Sequence, residues 1–272
     1  MAANFAHKEL GLSFQEKGVG PTSTPASEFW TMLGDSSNSE EIKTLATEAL
    51  AHDFSSGSAS SASVAITEFL KKNNIADTFR ASFGSWQGGS DTYSRIKVNA
   101  AIAKLKGVDG QIKSGEASHW VHERKVPHFA QAWEEGTSQA TALIPYIVAS
   151  QQKIKTLTGD SGIISRVFRG LAGDVSNTAK TAHKAAQSAK VQRVYIGGGG
   201  QGFSMNKKTA KKFATQNGVI FTKDSITTND VLLYFNTWNS GSFQDEQELI
   251  LDPSATQEFS LSELHYAGEP GW

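Results

Sequence analysis

The chain has 272 residues, 38% of them hydrophobic and 10% aromatic, enough to bury a core and too apolar for a disordered chain. Lys and Arg number 26 against 27 Asp and Glu, for a formal net charge of -1. That balance argues against nucleic-acid binding by bulk charge and leaves room for a local basic patch. Cysteine is absent, which removes disulfides, thiolate nucleophiles and cysteine-ligated metal sites. Apolar runs fall well short of the ~20 residues that cross a bilayer, and residues 1–18 (MAANFAHKELGLSFQEKG) lack the apolar centre of a signal peptide. A soluble protein without a membrane partner is expected, cytoplasmic or exported by a route that leaves no such signal.

Residues 1–30 show weak periodicity and read as a loosely held arm. From 31 to 158 the pattern is helical. Ser37 and Glu40 have capping-box spacing, and Ile42, Leu45, Ala46, Ala49 and Leu50 recur as one apolar face behind them. SSGSASSAS at 55–63 is a connector. A second helix is expected over 62–73, burying Val64, Ile66, Phe69 and Leu70, and a third over 92–106, stopped by Gly107. Two more follow at 116–134 and 138–157, with Pro127 and Pro145 expected to break or kink them. From 159 to 272 the pattern shortens and alternates. Strands are expected at 163–169, 192–196, 230–236 and 247–252, interrupted by an Ala-rich helix at 177–190 and another after Asn206. The fold class is α+β, a helical N-terminal half followed by a β-rich half.

Two patterns mimic known sites. GGGGQG at 197–202 satisfies G-x-G-x-x-G, with Asp224 about 20 residues on, where a dinucleotide-binding fold places an acidic residue. Any glycine tract satisfies that pattern, and the helical first half lacks the repeated strand–helix–strand units such a fold needs. Phe203 also stands where a phosphate-binding loop requires lysine. A glycine loop joining two elements is the better reading. His119, His122, Glu123 and His128 resemble a metal site but have neither H-E-x-x-H nor H-x-x-E-H order, so they read as helix decoration and no metal is expected.

Three segments of the second half carry chemistry. VFRG at 167–170 ends an apolar strand in Arg169 and Gly170, a rigid guanidinium suited to pyrophosphate. GFSMNKKTAKKFA at 202–214 puts Ser204 on a short strand before a helix with Ala210 and Phe213 facing inward. Phe243-Gln-Asp-Glu246-Gln-Glu248 precedes an apolar strand. Two residues apart, Glu246 and Glu248 would share one face of an extended strand. Paired carboxylates there are costly unless used. A solvated edge strand is the bland account of the same residues.

In that order the three segments resemble the mono-ADP-ribosyltransferases, more narrowly their Arg–Ser–Glu branch. That branch includes actin-modifying bacterial toxins, injected bacterial effectors and bacteriophage enzymes that modify host RNA polymerase. The resemblance covers 165–252. It implies a β-rich core of two packed sheets around an NAD cleft, with 31–272 as one domain, and it is compatible with delivery into a host cell. It also implies roles. Arg169 would grip the NAD phosphates and nicotinamide ribose, and the Gly170 backbone the nicotinamide amide. Ser204, with Phe203 beside it, would support NAD and the catalytic glutamate. That glutamate is Glu248, which would hydrogen-bond the ribose 2′-hydroxyl. Glu246 would serve an acceptor arginine, and Phe243 would help recognise it. The sequence departs from the family's Ser-Thr-Ser at Gly202-Phe203-Ser204, where only the last serine remains. The first serine is often the residue that touches the glutamate.

The implied reaction transfers ADP-ribose from NAD to an arginine of a target protein and releases nicotinamide through an oxocarbenium-like transition state. A carboxylate stabilises the developing sugar cation and no metal is needed. The same residues are open to an NAD glycohydrolase, to transfer onto another acceptor including nucleic acid, and to an inactive binding module.

Overall fold

The computed structural model describes residues 5–7, 12–15, 39–55, 59–76, 86, 92–107, 109, 128–171, 193–195, 201–215, 218–238, 244–252, 258–266, 268 and 270–272. Among them, helices fill the first half and antiparallel strands most of the second. None of these helices is long and apolar enough to cross a membrane.

Helix α1 (Glu40–Leu50) starts at Ser39, whose hydroxyl accepts from the Ile42 amide at 3.4 Å, and Glu40 and Glu41 complement the helix dipole. Ser39 therefore caps this helix, and Ser37 lies outside the described residues. Ile42, Leu45, Ala46 and Ala49 are buried as expected, whereas Leu50 is exposed. Helix α2 (Ala59–Lys72) buries Ala62, Ile66, Phe69 and Leu70. Val64 was expected among them but turns outward, because the buried stripe at 62, 66, 69 and 70 places 64 on the opposite side.

Helix α3 (Thr92–Leu105) ends before Gly107, which takes the left-handed φ of +68° expected of a helix stop. Helix α4 (Phe129–Ser138) lies tight against α3: a Cβ on Gly136 would come 2.3 Å from the Lys97 carbonyl oxygen. Lys97 and Tyr93 both reach Glu135 across this contact, at 3.3 and 2.7 Å. Helix α5 (Ala140–Thr158) is buried from Ala142 to Gln151 and continues through Pro145. The expected break does not occur there. Burial of Leu143, Ile144, Ile147 and Val148 outweighs the ~3 kcal/mol that an interior proline costs. Pro127 and the Ala-rich stretch at 177–190 lie outside the described residues.

Two short strands, β1 (Phe5–His7) and β2 (Leu12–Gln15), lie within 1–30. With β4 (Arg193–Tyr195) and β9 (Glu258–Ser260) they form a four-stranded antiparallel sheet, order β1-β2-β4-β9. The second sheet has six strands: β3 (Ile163–Leu171), β5 (Gln201–Ser204), β6 (Val219–Thr227), β7 (Val231–Tyr234), β8 (Glu248–Leu251) and β10 (Leu264–Tyr266). Its order is β10-β6-β3-β5-β8-β7. Leu232, Leu233, Phe235 and Ile250 pack into the helical core, and Phe203, Phe221, Leu249 and Leu251 into a second core with Ile154 of α5.

Helix α6 (Lys207–Ala214) is capped by Asn206, whose side chain accepts from the Lys208 amide at 3.0 Å. It buries Ala210 and Ala214 against Phe168 and Ile220. Phe213, expected to face inward, is 45% exposed. Ala214 takes its place because α6 lies almost on the backbone of β3: a Cβ on Gly170 would come 1.9 Å from the Ala210 carbonyl oxygen. Gly170 is thus required by helix–strand packing. Gly170→Ala should lower stability by about 2 kcal/mol or more, as overpacking against a rigid backbone does, and thermal unfolding reads it directly.

The helical half is also tied to the sheet by charge. Lys106, just past α3, reaches the fully buried Asp252 at the end of β8, with Nζ 2.8 Å from Oδ1 and 2.6 Å from Oδ2.

Candidate active site

The segment ending in Arg169 and the one ending in Glu248 come together through β5, which lies between β3 and β8. On the β8 side the register is regular, with Ser204 opposite Glu248, Phe203 opposite Leu249 and Gly202 opposite Ile250. On the β3 side, Phe168 opposite Ser204 is the one pairing among the described residues. Beyond it the described residues of the two strands do not pair, and the Arg169 side chain reaches across to β5. Its Nη1 donates to the Gly202 carbonyl at 2.9 Å, and its guanidinium carbon lies 6.0 Å from the centre of the Phe203 ring. Its Nε is buried with no hydrogen-bond partner. Burial, and then repulsion from Arg95, hold the guanidinium down at about 9, partly offset by Glu248. It remains a cation at neutral pH, with hydrogen-bonding capacity to spare for an anion.

Glu248 opens β8 and is half-buried. Its Oε1 accepts from the indole Nε1 of Trp86 at 2.8 Å. Burial raises this carboxyl to about 7. The Trp86 bond opposes that rise, Glu246 adds to it, and Arg95 and Arg169 oppose it. Both signs follow from desolvation and neighbouring charge. Arg95, on α3, lies with its guanidinium carbon 5.5 Å from the centre of the Trp86 ring. A carboxylate with two flanking cations therefore sits where the helical half meets the sheet.

Glu246 does not share a strand face with Glu248. It ends a 3-10 turn (Gln244–Glu246), and Gln247 between them takes a left-handed φ of +45°. Glu246 thus lies outside the extended backbone of β8, so the two-residue spacing does not place both side chains on one strand face. The turn is held through its carbonyls. Asn236 donates to that of Gln244 at 2.7 Å, Asn206 to that of Asp245 at 3.0 Å, Ser204 to that of Glu246, and the Met205 amide to that of Gln247 at 3.2 Å. Burial moves Glu246 above the usual carboxylate range, with Lys212 opposing.

Ser204 therefore has a different contact from the one its motif implies. Its hydroxyl donates to the Glu246 carbonyl and accepts from the Asn206 amide at 2.9 Å, so it holds the turn and not the Glu248 carboxylate. Phe203 is a core residue, 1% exposed. Phe243 lies outside the described residues. Trp86 and Arg95 are additions that the sequence motifs did not reveal.

Asp224 pairs with Arg166 on the exposed side of β6, and Gly202 belongs to β5; residues 197–200 lie outside the described residues. Among the described residues no three His, Asp or Glu side chains gather in a metal-holding group. His128 precedes α4 with a left-handed φ of +63°, and His119, His122 and Glu123 are not described.

Comparison of the chain with protein-family models, with curated proteins and with solved structures finds no match.

Proposed function

We propose that the protein is an NAD-dependent mono-ADP-ribosyltransferase acting on arginine. The observation that supports this most strongly is the convergence of Arg169, with its unpartnered buried Nε, and Glu248 from the two strands that flank β5. The residues fit NAD as a substrate. Arg169 offers a cation with unused donors to a phosphate, and Glu248 offers a negative charge to a sugar cation.

Breakage of the nicotinamide–ribose bond puts positive charge on the ribose ring while nicotinamide leaves with the bonding electron pair. Glu248, ionised, stabilises that charge and orients the ribose by a hydrogen bond. The guanidinium of the acceptor arginine then attacks the anomeric carbon and loses a proton. In this reading Glu246, on the turn just before β8, orients the guanidinium and takes that proton. Its burial-raised basicity suits the second task.

Glu246→Gln tests the acceptor assignment. Transfer to agmatine or protein arginine should fall by about a hundredfold or more. Nicotinamide release into water should change by less than about threefold, since water needs no guanidinium-orienting carboxylate. Unchanged labelling of guanidine acceptors would move the acceptor away from arginine.

A further inference from the structure

We propose that Trp86 is a positioning residue, its indole N–H holding Oε1 of Glu248 so that the carboxylate presents its other oxygen to the substrate. The indole is 5% exposed, lies near the Phe235 ring (centroids 6.3 Å apart, 31° between planes) and the Arg95 guanidinium, and reaches Oε1 at 2.8 Å. A buried indole N–H needs an acceptor, and a carboxylate gains most from a donor that cannot move. The described residues give Oε2 no hydrogen bond, which leaves it for a ligand.

Gly202 shows why the donor comes from the helical half. A Cβ at that position would lie 2.7 Å from Oε1 and 3.7 Å from the indole nitrogen. Any side chain there would compete with Trp86 for the same oxygen, so glycine on β5 and tryptophan at position 86 form one arrangement. Ser204 cannot substitute, because its hydroxyl is committed to the Glu246 carbonyl and the Asn206 amide. The charged groups facing Glu248 are Glu246 before β8, Arg169 on β3 and Arg95 on α3. The Trp86 bond favours the ionised carboxylate that the reaction uses, against the effect of burial.

The functional consequence rests on the ADP-ribosyltransferase reading; the contact itself does not, and the two are tested apart. In the whole protein labelled with 15N, one of the six tryptophan indole N–H resonances should shift with a midpoint near pH 7. That shift should vanish in Glu248→Gln, and the resonance itself should vanish in Trp86→Phe. Six indole signals that neither titrate between about pH 3 and 9 nor respond to Glu248→Gln would overturn the proposal. This measurement stands whether or not Trp86→Phe folds and whether or not NAD is cleaved. In nicotinamide release, Trp86→Phe should move the acid limb of the rate up by about one pH unit. The KM for NAD should change by less than about threefold. An acid limb at the wild-type midpoint, with the rate scaled down equally at every pH, would mean that Trp86 only packs and would overturn the proposal. Absence of nicotinamide release from the wild type would instead sink the transferase reading, leaving the indole titration to decide the contact.

Discussion

Glu248→Gln should lower nicotinamide release from NAD by about 10³-fold, roughly 4 kcal/mol of transition-state stabilisation. Glutamine preserves the shape and can still accept from the Trp86 indole, so the loss isolates the charge. Folding should move the other way. The carboxyl is raised in the folded protein from 4.5 to about 7. Its contribution is therefore most favourable below about pH 4.5 and is lost as pH rises through about 7. Glutamine never ionises, so at pH 8 the variant should be at least as stable as the wild type by urea denaturation. A dead variant of equal or greater stability separates a catalytic role from a structural one. A variant that is both inactive and clearly less stable at pH 8 would mark Glu248 as part of the scaffold.

Lys106→Met should have the largest effect on stability. Asp252 is fully buried and Lys106 nearly so, and the ammonium lies within 2.8 Å of both carboxylate oxygens. Removing the cation strands a charge in the interior, which costs about 3–5 kcal/mol. Replacing both partners, as in Lys106→Met with Asp252→Leu, should recover most of that loss, because a well-packed apolar pair often matches a buried ion pair. Urea denaturation of the single and double variants measures it. Equal losses in both would show that the pair contributes packing and little charge compensation. Because Asp252 ends β8 and Lys106 follows α3, the pair also fixes the helix carrying Arg95 against the strand carrying Glu248.

The helices were legible where one face is apolar. α1 and α3 follow from Ile42, Leu45 and Ala46 and from the Gly107 stop, and β3, β7 and β8 from their runs of Val, Ile and Leu. Strand β6 was not legible. Ser225 takes a left-handed φ of +58°, and the register skips from Asp224 opposite Arg166 to Ile226 opposite Ile164. The register is the same on both sides of that gap, so no residue is inserted; Val219–Thr222 are all buried, and a run without alternation does not display the period of two on which strand reading depends. A local turn hid the geometry of the two glutamates, since Gln247 takes a left-handed φ where extended backbone was expected. Strand β10 is three residues long, too short to show alternation.

At the site, Arg169 and Glu248 stood out through the order of the three segments and the family they resemble, since a strand-end arginine alone is most often solvated. Trp86 gave no such signal. It lies 162 residues from the glutamate it contacts, in a stretch without strong periodicity. Arg95 looked like one more charge on a helix until the fold set it over that indole. Gly170 carries a requirement that the sequence did not show: beside the backbone contact that the resemblance implies, the close approach of α6 leaves no room for a Cβ.

Purified protein incubated with NAD and no acceptor, with free nicotinamide quantified over time, tests the central claim most directly. Saturable release is expected, lost in Glu248→Gln and requiring at least about tenfold more NAD in Arg169→Lys, which keeps the charge but not the forked donors. No release at millimolar-scale NAD from folded protein, with no heat of NAD binding by calorimetry, would contradict it.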